Sequence, residues 1–258
     1  MDILIFSGQS NMEGSTGEKC LEPPIEGAYE YRYLTDELKA LQNPVGEDIN
    51  DGVLTPSELG NGSLVPFFCK EYEKRTDKRV TAIHVAKSGS LISEWLPETE
   101  RFKLATDKIL SGIKKVKETF DVDKIYFVWL QGESDAIERT GTDAYKKMLI
   151  QFKNALKETI GIDEFAIIRQ GYFSEFAEWA EGSKKEKKKE DEKIMKAFSL
   201  AEKEDADFII LTKICAKFSR TPKWLNPKEA GPHFNNAAMA IIGKKAGKAL
   251  ARYRNKNS

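Results

Sequence analysis

Ile3-Leu4-Ile5-Phe6-Ser7-Gly8-Gln9-Ser10-Asn11-Met12 opens on a short unbroken apolar run and breaks at a glycine followed by small polar residues. A run that short, with no polar alternation, reads as a strand buried on both faces. Similar runs recur at residues 80–86, 125–130, 165–168 and 208–211. Between them the apolar residues return at helical spacing. Phe102, Ala105, Ile109, Ile113, Val116 and Phe120 form one such stripe. Tyr145, Met148, Leu149, Phe152, Leu156 and Ile160 form another, with lysines on the opposite face. Residues 237–253 predict a closing helix despite two internal glycines. Strands alternating with helices, with no hairpin signal, predict an α/β fold: a three-layer α/β/α sandwich around a five-stranded parallel sheet. Sites in such sheets form beyond the carboxyl ends of the strands, so the residues just after each run matter most.

A chain of 258 residues is long enough for one substantial core, and residues 1–258 are expected to form a single domain. Hydrophobic residues at 40% and charged residues at 32% place it among globular proteins. Forty-one basic residues cancel 41 acidic ones, which argues against a nucleic-acid or membrane-surface partner. No apolar run approaches the roughly 20 residues of a membrane helix. The chain starts without a basic segment and apolar stretch of signal-peptide type, so a cytoplasmic protein is expected, or a secreted one whose signal has been removed. Cys20, Cys69 and Cys215 are too few and scattered for a disulfide framework or zinc site and read as buried thiols. Residues 19–61 have little periodicity and many turn formers, and read as a long surface excursion. The mixed charge run at 183–193 reads as the solvated first half of a helix. Neither sequence nor composition points to an oligomeric state.

Ser10 follows the first strand, where the chain turns toward a helix and Gly8 permits an unusual backbone angle. A helix there would aim backbone N–H groups at an anion formed beside Ser10. Met12 occupies the second glycine position of a G-x-S-x-G elbow, so the stretch is not that motif. On these residues alone Ser10 is either a nucleophile or a turn hydroxyl. Trp129-Leu130-Gln131-Gly132-Glu133-Ser134-Asp135-Ala136 ends a strand in the same way. Gln131 could donate to a developing oxyanion and Glu133 could orient an imidazole, unless the loop is simply rich in capping residues. A neutral-pH imidazole base must be one of two histidines. His84 sits inside an apolar strand and reads as a core or sheet-edge residue. His233, in Gly231-Pro232-His233-Phe234-Asn235, lies where it can face the first strand. No His/Cys/carboxylate cluster has ligand spacing, so neither metal nor cofactor is expected.

Together, in this order, the three blocks resemble the carbohydrate-acetylesterase branch of the SGNH hydrolases, which contains sialate O-acetylesterases and acetylxylan esterases. The likeness spans residues 3–250. It implies a flavodoxin-like fold and metal-free removal of acetyl groups from an acetylated carbohydrate, on sialic acid or xylan-type glycans. Ser10 would carry the acyl group, with His233 as base. Ala86-Lys87-Ser88-Gly89-Ser90-Leu91-Ile92-Ser93-Glu94-Trp95 resembles the family's glycine-rich turn. An oxyanion hole is then expected from the backbone N–H groups of Ser10 and Gly89 and the Gln131 amide. Trp95 is either a sugar-stacking surface or a packed core residue. Two departures stand out: Ser88 replaces a frequent glycine, and Ala230 replaces an aspartate found in many relatives. Glu133 is therefore the expected orienting acid, with Glu229 the alternative. Ala230 also supports a rival reading, a non-catalytic carbohydrate-binding protein, and a lipase- or thioesterase-like activity is a third.

Overall fold

The computed structural model describes residues 1–20, 22–50, 53–56, 62–228 and 231–257. In chain order the strands are β1 (Asp2–Gly8), β2 (Tyr29–Arg32), β3 (Glu37–Ala40), β4 (Glu47–Asn50), β5 (Val53–Pro56), β6 (Val80–Ala86), β7 (Ile125–Leu130), β8 (Glu164–Ile168) and β9 (Phe208–Thr212). The helices are α1 (Ser10–Glu13), α2 (Val65–Thr76), α3 (Glu100–Lys117), α4 (Glu133–Ile137), α5 (Thr142–Ile160), α6 (Lys184–Glu204), α7 (Cys215–Phe218) and α8 (Asn236–Lys256).

β1 is buried along its whole length, as its apolar run requires, and pairs in parallel with β6 on one side and β7 on the other. The main sheet runs β3-β2-β6-β1-β7-β8-β9. It therefore has seven strands where the sequence predicts five. The two extra strands come from the stretch expected to be a surface excursion. β2 adds to the edge in parallel with β6, and β3 folds back on it antiparallel through a turn in which Asp36 has φ 48°. Their signal is hidden because β2 buries an acid. Glu30 pairs with Arg32 at 2.9 Å and accepts from the Gly46 N–H. β4 and β5 form a separate two-stranded sheet.

Side chains alternate across a strand, so β1 feeds two cores. Ile3 and Ile5 pack with Ile109 of α3, Phe152 of α5 and Phe198 of α6. Leu4 and Phe6 pack with Val65 and Phe68 of α2 and Ile242 of α8. The two glycines inside α8 lie against α2: a Cβ on Gly243 or Gly247 would sit 2.4 Å from the Leu64 or Phe68 carbonyl oxygen. A buried ion pair, Arg254 Nε to Asp2 at 2.7 Å, joins α8 to the start of β1. Cys69 and Cys215 are buried free thiols and Cys20 is half-buried. No helix among the described residues is long and apolar enough to cross a membrane.

Candidate active site

β1, β6 and β7 end side by side, and the turns leaving them meet at one cavity of about 390 Å³. Gly8 makes the first turn possible. Its φ is 149°, and a Cβ there would lie 1.9 Å from the Leu130 carbonyl oxygen, so only glycine lets β1 close on β7. Gln9 N–H then donates to that same oxygen at 3.1 Å, and α1 begins at once with Ser10. Ser10 and His233 come together: His233 Nε2 lies 2.9 Å from Ser10 Oγ across 223 residues of chain. Both line the cavity, with Gly89 beside them at φ 73°. Ser88, the departure from the glycine-rich turn, is exposed and lines the same cavity.

Gln131 does not reach this cavity. It is fully buried; its Nε2 donates to Ser90 O at 2.9 Å and Asp135 Oδ2 at 2.6 Å, and its Oε1 accepts from Tyr145 at 2.7 Å. Both amide hydrogens are committed, so Gln131 joins the β6 and β7 loops instead of facing an oxyanion. The amide at the cavity belongs to Gln9. Its Oε1 accepts from the N–H groups of Gly132 and Ser134, both at 3.2 Å, which fixes the amide so that Nε2 makes only a long 3.3 Å contact to Ser134 Oγ.

Glu133 does not meet His233 either. Its Oε1 accepts from Asn11 Nδ2 at 3.0 Å, and its Oε2 has no hydrogen-bond partner among the described residues. Burial pushes its carboxyl up to about 6. The reach fails because Asn11 stands between: its Oδ1 accepts from Phe234 N–H at 3.2 Å, pinning the loop that presents His233. Glu229 and Ala230 lie outside the described residues.

His84 is a core residue as expected, with Nε2 3.0 Å from Met12 O and burial holding its pKa down to about 4. It braces α1 from behind. Trp95 is fully buried, its Nε1 donating to Ser90 Oγ and its ring edge-on to Trp129, so it offers no stacking surface. The exposed aromatic at the cavity is Trp179, which is 54% exposed. Phe173 lies between Trp179 and His233, edge-on to the imidazole at 5.1 Å. This wall is held by the charge run. Asp191 is buried, accepts from Ser174 and Glu175 N–H at 3.0 and 2.9 Å, and is pushed by burial up to about 7. Lys187 Nζ donates to Ala177 O at 2.7 Å. Among the described residues no three His, Cys, Asp or Glu side chains gather as a metal site.

Residues 1–252 match the family described as carbohydrate esterase, sialic acid-specific acetylesterase. No curated protein matches the chain. Among solved structures it resembles a protein from Arabidopsis thaliana at 15% identity, with 97% and 98% of the two chains covered and a TM-score of 0.70. It also resembles NanS at 14% identity, 98% of each chain and a TM-score of 0.67. A carbohydrate acetylesterase from Xanthomonas citri shares 16% identity, all of this chain and 57% of that one, with a TM-score of 0.60. At such identities the structural likeness is one of fold.

Proposed function

The chain belongs to the sialic acid-specific acetylesterase family of carbohydrate esterases, and from that membership we propose that this carbohydrate O-acetylesterase works through an acyl-enzyme on Ser10. The observation that carries this reading is the 2.9 Å contact between Ser10 Oγ and His233 Nε2 at the floor of an open cavity. His233 takes the hydroxyl proton as Oγ attacks the acetyl carbonyl, then returns it to the departing sugar oxygen. A water activated by the same imidazole releases acetate. The tetrahedral oxyanion is held by the backbone N–H groups of Ser10 and Gly89, with Gln9 Nε2 in the role expected of Gln131. Glu133 acts on the base indirectly, through Asn11 and the Phe234 N–H next to His233. The fold is read as a single three-layer esterase domain.

The test is acetate release from O-acetylated sialic acids and acetylated xylo-oligosaccharides, by wild type and Ser10→Ala. Ser10→Ala should fold normally and lose on the order of 10³-fold or more in kcat. A folded Ser10→Ala variant with near-wild-type turnover would remove the acyl-enzyme. p-Nitrophenyl esters of increasing chain length separate an acetylesterase, which declines beyond acetate, from a lipase-like enzyme.

A further inference from the structure

Trp179 belongs to two cavities. It lines the Ser10–His233 site and also a second cavity of about 540 Å³. The Gly231-Pro232-His233 turn also adjoins both, with Gly231 and Pro232 lining the second cavity and His233 the first. Phe176, Pro222, Leu225 and Pro227 supply apolar walls, and Arg220 and Asn226 supply polar groups. The polar groups are already positioned. The Arg220 guanidinium stacks 3.4 Å from the Tyr172 ring centroid, while its Nε and Nη2 donate to Glu175 Oε2 at 3.1 and 2.6 Å. Asn226 is fastened by Nδ2 to Ser15 O at 3.3 Å and by Oδ1 to Lys228 N–H at 2.9 Å.

An exposed indole and apolar walls, with a few fixed polar groups among them, suit a pyranose. The C–H face of such a ring is apolar and its hydroxyls point outward. We infer that the second cavity is a saccharide subsite: when the acetylated sugar lies over Ser10, its neighbour in the glycan packs on the far side of Trp179. The preferred substrate is then an acetylated oligosaccharide. This rests on the esterase reading above. Contacts to the second sugar are remote from the scissile bond, so the energy they supply appears in kcat/KM.

The experiment compares kcat/KM on an acetylated monosaccharide and on the acetylated disaccharide of the same sugar, for wild type, Pro222→Trp and Trp179→Ala. Pro222 is an exposed part of the cavity wall, so tryptophan there obstructs the cavity without disturbing the core. Wild type should favour the disaccharide by about tenfold or more, which corresponds to about 1.4 kcal/mol. Both variants should bring the ratio close to one. A wild-type ratio near one, or a tenfold ratio that survives in both variants, would overturn the subsite. If Pro222→Trp does not fold, the ratio in Trp179→Ala decides. Loss of the underlying reading looks different: no Ser10-dependent hydrolysis of either sugar or of p-nitrophenyl acetate.

Discussion

Asn11 ties three parts of the site together, donating to Glu133 at the start of α4 and accepting from Phe234 beside His233. Glutamine at position 133 keeps an oxygen for Asn11, so Glu133→Gln should cost less than about tenfold in kcat. The larger effect is on stability. The Glu133 carboxyl is raised from 4.5 to about 6 by burial, so its contribution is whole below pH 4.5 and lost as pH rises through 6. Unfolding free energies across that window should fall by up to about 2 kcal/mol more in wild type than in Glu133→Gln. Equal slopes would mean that the carboxyl titrates at its ordinary value in the folded protein. The two glutamines make a paired test. Gln9→Ala should lower kcat by about 10²-fold, as expected for an oxyanion donor. Gln131→Ala should mainly lower the unfolding midpoint, since it breaks three buried hydrogen bonds. Reversed effects would restore Gln131 to the site. That Ser10 and His233 meet was legible because both follow strands that end at the same edge, and the family resemblance singled out this pair. The choice between Gln9 and Gln131 was not legible: both follow buried strands, and only side-chain direction separates them.

α8 shows how element and neighbour can pull in opposite directions. Helix propensity alone says that Gly247→Ala stabilises by about 1 kcal/mol. The Phe68 carbonyl, 2.4 Å from where the new Cβ would sit, says otherwise, because backbone cannot move aside cheaply. The variant should lose about 1–3 kcal/mol, read as a lower urea midpoint with an unchanged slope. A raised midpoint would mean that α2 gives way at this contact. The glycines read from sequence as flaws in a helix are therefore its contact surface. Five of the main-sheet strands were legible as apolar runs, whereas β2 was hidden by Glu30, which is charged but paired with Arg32, and β3 by Glu37 and Lys39, which pair at 2.8 Å on its exposed side. The charge run deceived in the same manner. Most of it is solvated, as in the Lys193–Glu190 pair, but Asp191 turns inward and fastens the loop bearing Phe173 and Trp179.

Across the whole molecule, β1 lies at the centre of the sheet and α8 closes over it, joined by the Arg254–Asp2 pair. Parallel strands gather contacts that are distant along the chain, and these form late because loop closure must come first. Refolding from urea should therefore return esterase activity only with the slowest phase of tryptophan fluorescence. Activity in an earlier phase would show that the site assembles before the sheet is complete. The 223 residues between Ser10 and His233 carry a further consequence. Cut the backbone once, at any exposed turn between them, and the proposed nucleophile and base become the property of different fragments. On the proposed mechanism neither piece alone should turn over an ester, so hydrolysis would become a reporter of their reunion, a conjunction that reads true only when both halves are present and correctly docked.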